Sequence, residues 1–232
     1  MLILGIESAT QQIGCAIGGH EGVLGLFESA RGRRHAETLA PAIEFLMTTT
    51  DIALEEISVV AVDVGPGLFT GLRVGLATAK AIAHALRVPM IGISSLDLLA
   101  FPLRHTVRTI VTVIDAKRGE LFYAFYRQVP GGVQRLGALQ LGTPDELQAD
   151  LQATHDEYVL VGDGALRYRE QLCQRKGVEF AEQWLAHPSA APLVQLAHPR
   201  ALREDWVNPW DLEPIYLRKP DAVINWATRE HR

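Results

Sequence analysis

Gly65-Pro66-Gly67-Leu68-Phe69-Thr70-Gly71-Leu72-Arg73-Val74-Gly75 is the stretch whose reading decides the fold. The apolar run Ser58–Val64 precedes it, and a helix-like stretch to Leu86 follows it. A strand, a glycine-rich turn and a helix make a place where backbone N–H groups point at one spot. Such a place can bind an anion, or it can let two backbones approach closely. Known phosphate loops fit it badly. A Walker A loop needs Lys and Ser or Thr after its last glycine, where this chain has Leu72 and Arg73. A dinucleotide fingerprint needs a third glycine where this chain has Thr70.

The helix after the turn carries a second signal. Leu72, Leu76, Ala79, Ala83 and Leu86 fall on one face, and Val74, Ala77, Thr78, Ala81 and Ala85 fall opposite. Arg73, Lys80 and Arg87 share a flank. A surface helix shows a polar side opposite its apolar stripe; this one is apolar or small on both, so both sides are expected to be covered. One covers its own sheet. The other meets a second helix, within the chain or from a partner, or else the helix is simply central to a layered core.

Outward from there, Leu2–Ile6, Ile13–Ile17 and Val23–Glu28 read as three antiparallel strands. His35–Met47 has one apolar stripe, with Pro41 predicting a kink or a late start. Val88–Ile93 reads as a strand, and Ser94 or Ser95 caps a short helix to Ala100. In the second half, Thr109–Ile114 and Leu121–Tyr126 form a hairpin around Lys117-Arg118-Gly119, and Gly132–Leu139 is a third strand. Asp145–Gln152, Ala165–Lys176 and Leu193–Arg203 are expected helices, and Tyr158–Val161 a strand. Strands alternating with helices, in two similar successions, argue for α/β architecture. Paired actin-like subdomains, 1–104 and a smaller 105–232 whose last helix could pack back on the first, are the expectation; one doubly wound sheet is the alternative.

The chain has 232 residues, 48% of them hydrophobic, and a net charge of −5 with no basic run. Unaided binding to nucleic acid is not expected from that balance. Cys15 and Cys173 stand in no metal or redox spacing and read as buried, inert thiols of a reducing compartment. The opening residues lack a basic signal-peptide region, and no apolar run reaches spanning length, so a soluble cytoplasmic chain is expected.

Several residues could carry chemistry, each beside a plainer use. Glu7 with Ser8-Ala9-Thr10 could position a metal-bound water or a ribose, or close a polar turn. Asp115, Arg118 and Glu120 could hold an ion pair in a cleft, or serve turn geometry with Gly119. Gly162-Asp163-Gly164 could bind a phosphate or start a helix. The eight histidines show no metal spacing, and no nucleophile can be paired with a base.

These segments resemble the TsaB family of bacterial tRNA threonylcarbamoyladenosine modification. Gly65–Gly75 is similar to that family's Gly-Pro-Gly-Ser-Phe-Thr-Gly-Leu-Arg-Ile-Gly stretch. Leu4–Thr10 resembles its opening strand, and His35, Leu39 and Pro41 its first helix. Ile114–Glu120 resembles its Ile-Asp-Ala-Arg-x-Gly-Glu hairpin, and Pro214-Ile215-Tyr216-Leu217-Arg218 its C-terminal signature. Two departures are Glu7 for the usual Asp and Leu68 for Ser.

The resemblance implies an actin-like (ASKHA, RNase H-like) fold with a shorter, degenerate second subdomain. It implies a non-catalytic subunit that dimerises with and organises TsaD, the paralogue that transfers the threonylcarbamoyl group to adenosine 37 of tRNA. The small ATPase TsaE joins the complex, tRNA is met only through it, and the lone chain forms a homodimer. The implied partner interface is His35, Thr38, Ala42, Phe45, Gly71, Val74, Ala77, Thr78, Ala81 and Ala85. A vestigial nucleotide or anion site would comprise Glu7, Thr10, Gly65, Gly67, Thr70, Gly162, Asp163 and Gly164. No catalytic residue, metal ligand or required cofactor is implied, though ATP or ADP with magnesium could lodge at the complex junction. An actin-like small-molecule kinase or ATPase is the alternative; a metallopeptidase of the M22 type is a more distant one.

Overall fold

The structure, a computed structural model, describes residues 1–30 and 35–218, the side chains of residues 35 and 36 excepted. His35 as a partner contact and the tail Asp221–Arg232 therefore lie outside the described residues.

The first half is built from two groups of elements. The first group is β1 (Leu2–Glu7), β2 (Ile13–Gly19), β3 (Gly22–Ser29) and α1 (His35–Thr50). The second is β4 (Ile57–Asp63), α2 (Phe69–Leu86), β5 (Met90–Ile93), α3 (Ser95–Ala100) and the one-turn helix Phe101–Leu103. Their five strands form a sheet in the order β3-β2-β1-β4-β5. The first three are an antiparallel meander, and β4 and β5 add parallel to β1.

The second half repeats this plan. β6 (Thr109–Lys117), β7 (Glu120–Val129) and β8 (Gly132–Gly142) form the meander, followed by α4 (Pro144–Gln152). Then come β9 (Tyr158–Val161), α5 (Asp163–Arg167), α6 (Arg169–Leu172), β10 (Val178–Phe180) and α7 (Ala190–Leu202). The sheet order is β8-β7-β6-β9-β10, with β9 parallel to β6 and β10 parallel to β9. The two sheets share one topology, so the alternative of a single doubly wound sheet is excluded.

The period-two alternation of a strand divides each sheet's residues between two faces. On β1, Leu4 and Ile6 join Leu39, Ile43, Leu46, Leu76, Ala79 and Ala83 of α1 and α2. Ile3 points the other way, to Leu193, Val194, Ala197 and Ala201 of α7. A Cβ on Gly5 would stand 3.0 Å from Val194 Cγ2, so the missing side chain lets α7 lie close to the sheet. On the second sheet, Leu96, Leu99 and Ala100 of α3 pack on Ile110, Ile114, Phe122 and Tyr126. Leu147 and Leu151 of α4, with Ala165 and Leu172, cover its other face. Each half thus lends its last helix to the other half's sheet.

Six expectations change. α1 begins at His35 and runs through Pro41, which rules out the late start. The helix expected over Ala165–Lys176 is two short ones, because Tyr168 leaves helical angles at φ −106° and ψ 25°. The chain then turns through Gly177 into β10, which the sequence reading missed. β5 starts at Met90 rather than Val88, because α2 ends in a left-handed Arg87 and Pro89 follows. β8 extends to Gly142 across an irregularity near Gly137, at φ +88°. Cys15 is buried, which pushes its thiol up to about 12, but Cys173 is exposed and not the buried thiol expected.

The contact of Gly162 with β6 is tight. Its φ is +117°, and a Cβ there would stand 2.1 Å from the Val113 carbonyl oxygen. Gly162→Ala is expected to destabilise the fold by roughly 3 kcal/mol or more, strain and overlap acting together. Gly131→Ala, at φ +83° with nothing near the added methyl, should cost about 1–2 kcal/mol. Urea denaturation of the two variants measures the difference, and equal losses would refute the close-approach reading.

Candidate functional site

The glycine-rich turn leaves the end of β4 and faces the turn after β1. Two of its amides are committed to the fold. Gly65 N–H donates to Asp63 Oδ1 at 2.7 Å, and Leu68 N–H to the Ala9 carbonyl at 2.6 Å. A Cβ on Gly67 would stand 2.2 Å from that same Ala9 oxygen. Ser8 Oγ donates to the Gly71 carbonyl at 2.9 Å, and a Cβ on Gly75 would stand 2.1 Å from Ser8 Oγ. Of the two uses open to these glycines, close approach of backbones is the one built here. The Ala9 carbonyl takes the Leu68 donor that an anion would need.

The residues of the expected vestigial site fall into two separate sets of contacts. Glu7, Thr10, Gly65 and Gly67 belong to the strand ends of the first sheet. Glu7 and Thr10 are buried there, Glu7 Oε1 accepting the Ala9 N–H and Thr10 Oγ1 the Gln12 N–H. Thr70 is exposed on the first turn of α2. Gly162, Asp163 and Gly164 press instead on β6, where Asp163 Oδ1 accepts the Asp115 N–H at 3.0 Å. Burial raises the Asp163 carboxyl above its ordinary range.

Asp115 is buried and meets two cations that the sequence reading did not assign to it. Lys117 Nζ lies 2.8 Å and Arg167 Nη1 3.0 Å from Asp115 Oδ2. Burial alone would raise this acid; the Lys117 hydrogen bonds and the two positive charges outweigh it and hold the carboxyl below its ordinary value. Lys117, Arg118 and Gly119 all have positive φ, so the hairpin also uses the turn chemistry expected around Gly119. Glu120 pairs with Arg218, whose guanidinium also donates to the Ala116 and Lys117 carbonyls. That ties the Pro214–Arg218 segment to the second sheet, while Ile215 N–H donates to the Val64 carbonyl of the first. A cleft of about 540 Å³ lies between them, lined by Leu68, Phe69, Arg73, Lys117, Tyr216 and Arg218 among others.

The outer face of α1 and α2 is open. Ala77, Ala81 and Ala85 are exposed, and Val74, Thr78 and Thr38 half-buried. Phe45 projects from α1 at 59% exposure. Two residues expected at the partner interface are not on this face. Ala42 packs in the core beside Leu39, and Gly71 is buried against Ser8, because each falls on the inward side of its helix. Between the helices runs a groove of about 810 Å³ lined by Ile43, Met47, Thr48, Thr78, Ala81 and Ile82. Met47, expected in the apolar stripe of α1, is half-buried at this groove, and Ile82, which belongs to neither face assigned to α2 from the sequence, lines it as well. Among the described residues, no three His, Cys, Asp or Glu side chains gather so as to hold a metal ion. No described helix is long and apolar enough to cross a membrane.

Two sheets of one topology, each backed by helices and meeting at a cleft, define a two-lobed α/β protein of the actin-like class. A structure of YeaZ from Pseudomonas aeruginosa superposes with a TM-score of 0.82 at 24% identity, covering 93% of this chain and 99% of that one. A more distant likeness, TM-score 0.51 at 12% identity, is to component A of the Acidaminococcus fermentans (R)-2-hydroxyglutaryl-CoA dehydratase. The family model described as "TsaD: tRNA N6-adenosine threonylcarbamoyltransferase" matches residues 23–226. The tRNA threonylcarbamoyladenosine biosynthesis protein TsaB of Bacillus subtilis is 30% identical over 230 residues, covering 97% of this chain and 98% of that protein. TsaB of Escherichia coli is 28% identical, with 94% and 95% covered. An uncharacterised Mycobacterium leprae protein is 33% identical across 99% of this chain, which spans only 58% of that relative's length. The chain belongs to the family that this model describes, on its TsaB branch.

The Asp115 cluster makes a pH prediction. A carboxyl held below its unfolded value contributes stability above the unfolded value of about 4 and loses it as pH falls through the folded one. Asp115→Asn should cost about 2 kcal/mol at pH 7, since hydrogen bonds to a charged group are lost. The difference from the unsubstituted chain should shrink below pH 4. Urea midpoints at pH 7 and pH 3 test this, and a difference independent of pH would refute it.

Proposed function

We propose that this chain is a subunit of the assembly that makes N6-threonylcarbamoyladenosine in tRNA. It is non-catalytic on its own and docks on TsaD through the outer face of α1 and α2. The observation that carries the reading is that face, small and apolar along Ala77, Ala81 and Ala85, with Phe45 projecting beside a groove. Small residues admit a partner helix closely, and an exposed aromatic supplies an anchor. Family membership supports the pathway, because the TsaB relatives carry its name. The commitment of the Gly65 and Leu68 amides, and the close approach of Gly67 to Ala9, favour a docking subunit over a kinase or ATPase that cradles phosphates there.

In this reading TsaE joins through the complex, tRNA is met only within it, and the setting is cytoplasmic. The lone chain pairs with a second copy through the same open face. It needs no cofactor of its own; ATP or ADP with magnesium belongs to the junction between subunits.

Ala81→Glu places a charge on the open face. It should leave the fold intact and weaken TsaD binding more than a hundredfold, since an unpaired carboxylate buried at an interface costs roughly 3–5 kcal/mol. Leu76→Glu should instead unfold the first lobe, because Leu76 lies in the core of α1, α2 and the sheet. Size exclusion and calorimetric titration with TsaD test both, with circular dichroism for the fold. A chain that stays monomeric and ignores TsaD would overturn the proposal.

A further inference from the structure

Two carboxylates with no part in the open face lie buried in the first lobe. Glu7 ends β1 and Asp63 ends β4, and these parallel neighbours are paired up to Ile6–Val62, one step before the two acids. Each acid uses one oxygen. Glu7 Oε1 accepts the Ala9 N–H at 2.8 Å. Asp63 Oδ1 accepts the Gly65 N–H and the Ser95 hydroxyl, both at 2.7 Å. The other oxygens, Glu7 Oε2 and Asp63 Oδ2, are buried without any hydrogen-bond partner. The charged groups acting on the pair besides each other are Glu28 on β3 and Asp97 on α3, both acidic. Two bare carboxylates so placed repel each other and lack solvation. One proton between the two free oxygens relieves both defects.

We propose that Glu7 and Asp63 share a single proton, one carboxyl O–H donating to the other's free oxygen, and that this proton keeps two turns shut. The turns are Ser8–Thr10, rooted on Glu7, and Gly65–Gly71, rooted on Asp63. They meet where Leu68 N–H reaches the Ala9 carbonyl. Losing the proton sets two like charges at the roots of that seam, so opening begins there and frees the start of α2. Burial raises both acids, Glu7 well above its usual range and Asp63 to about 7. The folded chain therefore holds more protons than the unfolded chain above the ordinary carboxylate range. Stability is fully present below that range and falls as pH rises through the folded values.

Urea denaturation of the full chain from pH 5 to pH 9 tests this. The unsubstituted chain should lose up to tenfold in its folding equilibrium per pH unit over part of that range, the limit for one proton. Glu7→Gln keeps the acceptor for Ala9 and offers an amide N–H to Asp63 Oδ2, so its curve should be flatter and lie higher at pH 8.5. Asp63→Asn is the reciprocal variant. An infrared carbonyl band of a protonated carboxyl should be present at pH 7 in the unsubstituted chain and missing from both variants. Asp163→Asn, which removes the raised buried acid of the second lobe, should keep the band, so the band is assigned even if neither first-lobe variant folds. Its absence from the unsubstituted chain, or parallel pH curves for all three proteins, would overturn the proposal. So would stabilisation by magnesium or calcium at pH 8 that both variants lose, because a cation would then stand where the proton is placed.

Discussion

The hydrogen bond from Leu68 N–H to the Ala9 carbonyl joins two turns that are far apart in the chain. It closes the glycine-rich turn on the turn after β1 and sets where α2 begins. From that start, Leu72, Leu76, Ala79 and Ala83 fall on the first sheet, and Ala77, Ala81 and Ala85 fall outward. Gly67 and Gly75 are part of the same constraint, since side chains there would strike Ala9 and Ser8. A phosphate loop keeps its amides free for a ligand; this turn gives its Leu68 and Gly65 amides to the protein.

The exchange of last helices explains why one surface is left open. The first sheet has α7 on one face and α1 with α2 on the other. The second sheet has α3 on one face and α4, α5 and α6 on the other. The lobes are joined by α3, α7 and the segment ending at Arg218, which links Val64 to the β6–β7 hairpin. With those helices committed to the sheets, α1 and α2 keep an uncovered outer side. Phe45, Ala77, Ala81 and Ala85 on it belong to none of the core clusters, which a layered core does not explain and the proposed docking role does.

Much of this was legible in the sequence because strands and amphipathic helices announce themselves by period. The two-unit plan could be read from the order of elements, and the two faces of α2 from its spacing. What could not be read depended on tertiary neighbours. Nothing local distinguishes Gly67 as a ligand-facing glycine from Gly67 as a contact for Ala9. Ala42 and Phe45 both suited a partner surface by type, yet only Phe45 points outward. Asp115 showed a nearby Arg118, whereas Arg167 reaches it from an element 52 residues away. β10 spans only three residues, and its pairing with β9 has no local signature.

The two lobes place acids at corresponding strand ends and treat them differently. In the second lobe, Asp115 at the end of β6 gains Lys117 and Arg167, and Asp163 after β9 feels the positive charge of Lys117. In the first lobe, Glu7 and Asp63 at the ends of β1 and β4 feel only other acids. The duplicated plan therefore carries one acid, Asp115, that cations hold ionised, and one carboxylate pair that a proton neutralises. Lys117 and Arg167 reach Asp115 while keeping part of their surface in water. Glu7 and Asp63 are buried beneath the seam that shuts the glycine-rich turn, and among the described residues no side chain donates to their free oxygens, so the neutralising charge that Asp115 takes from Lys117 and Arg167 is left to a proton.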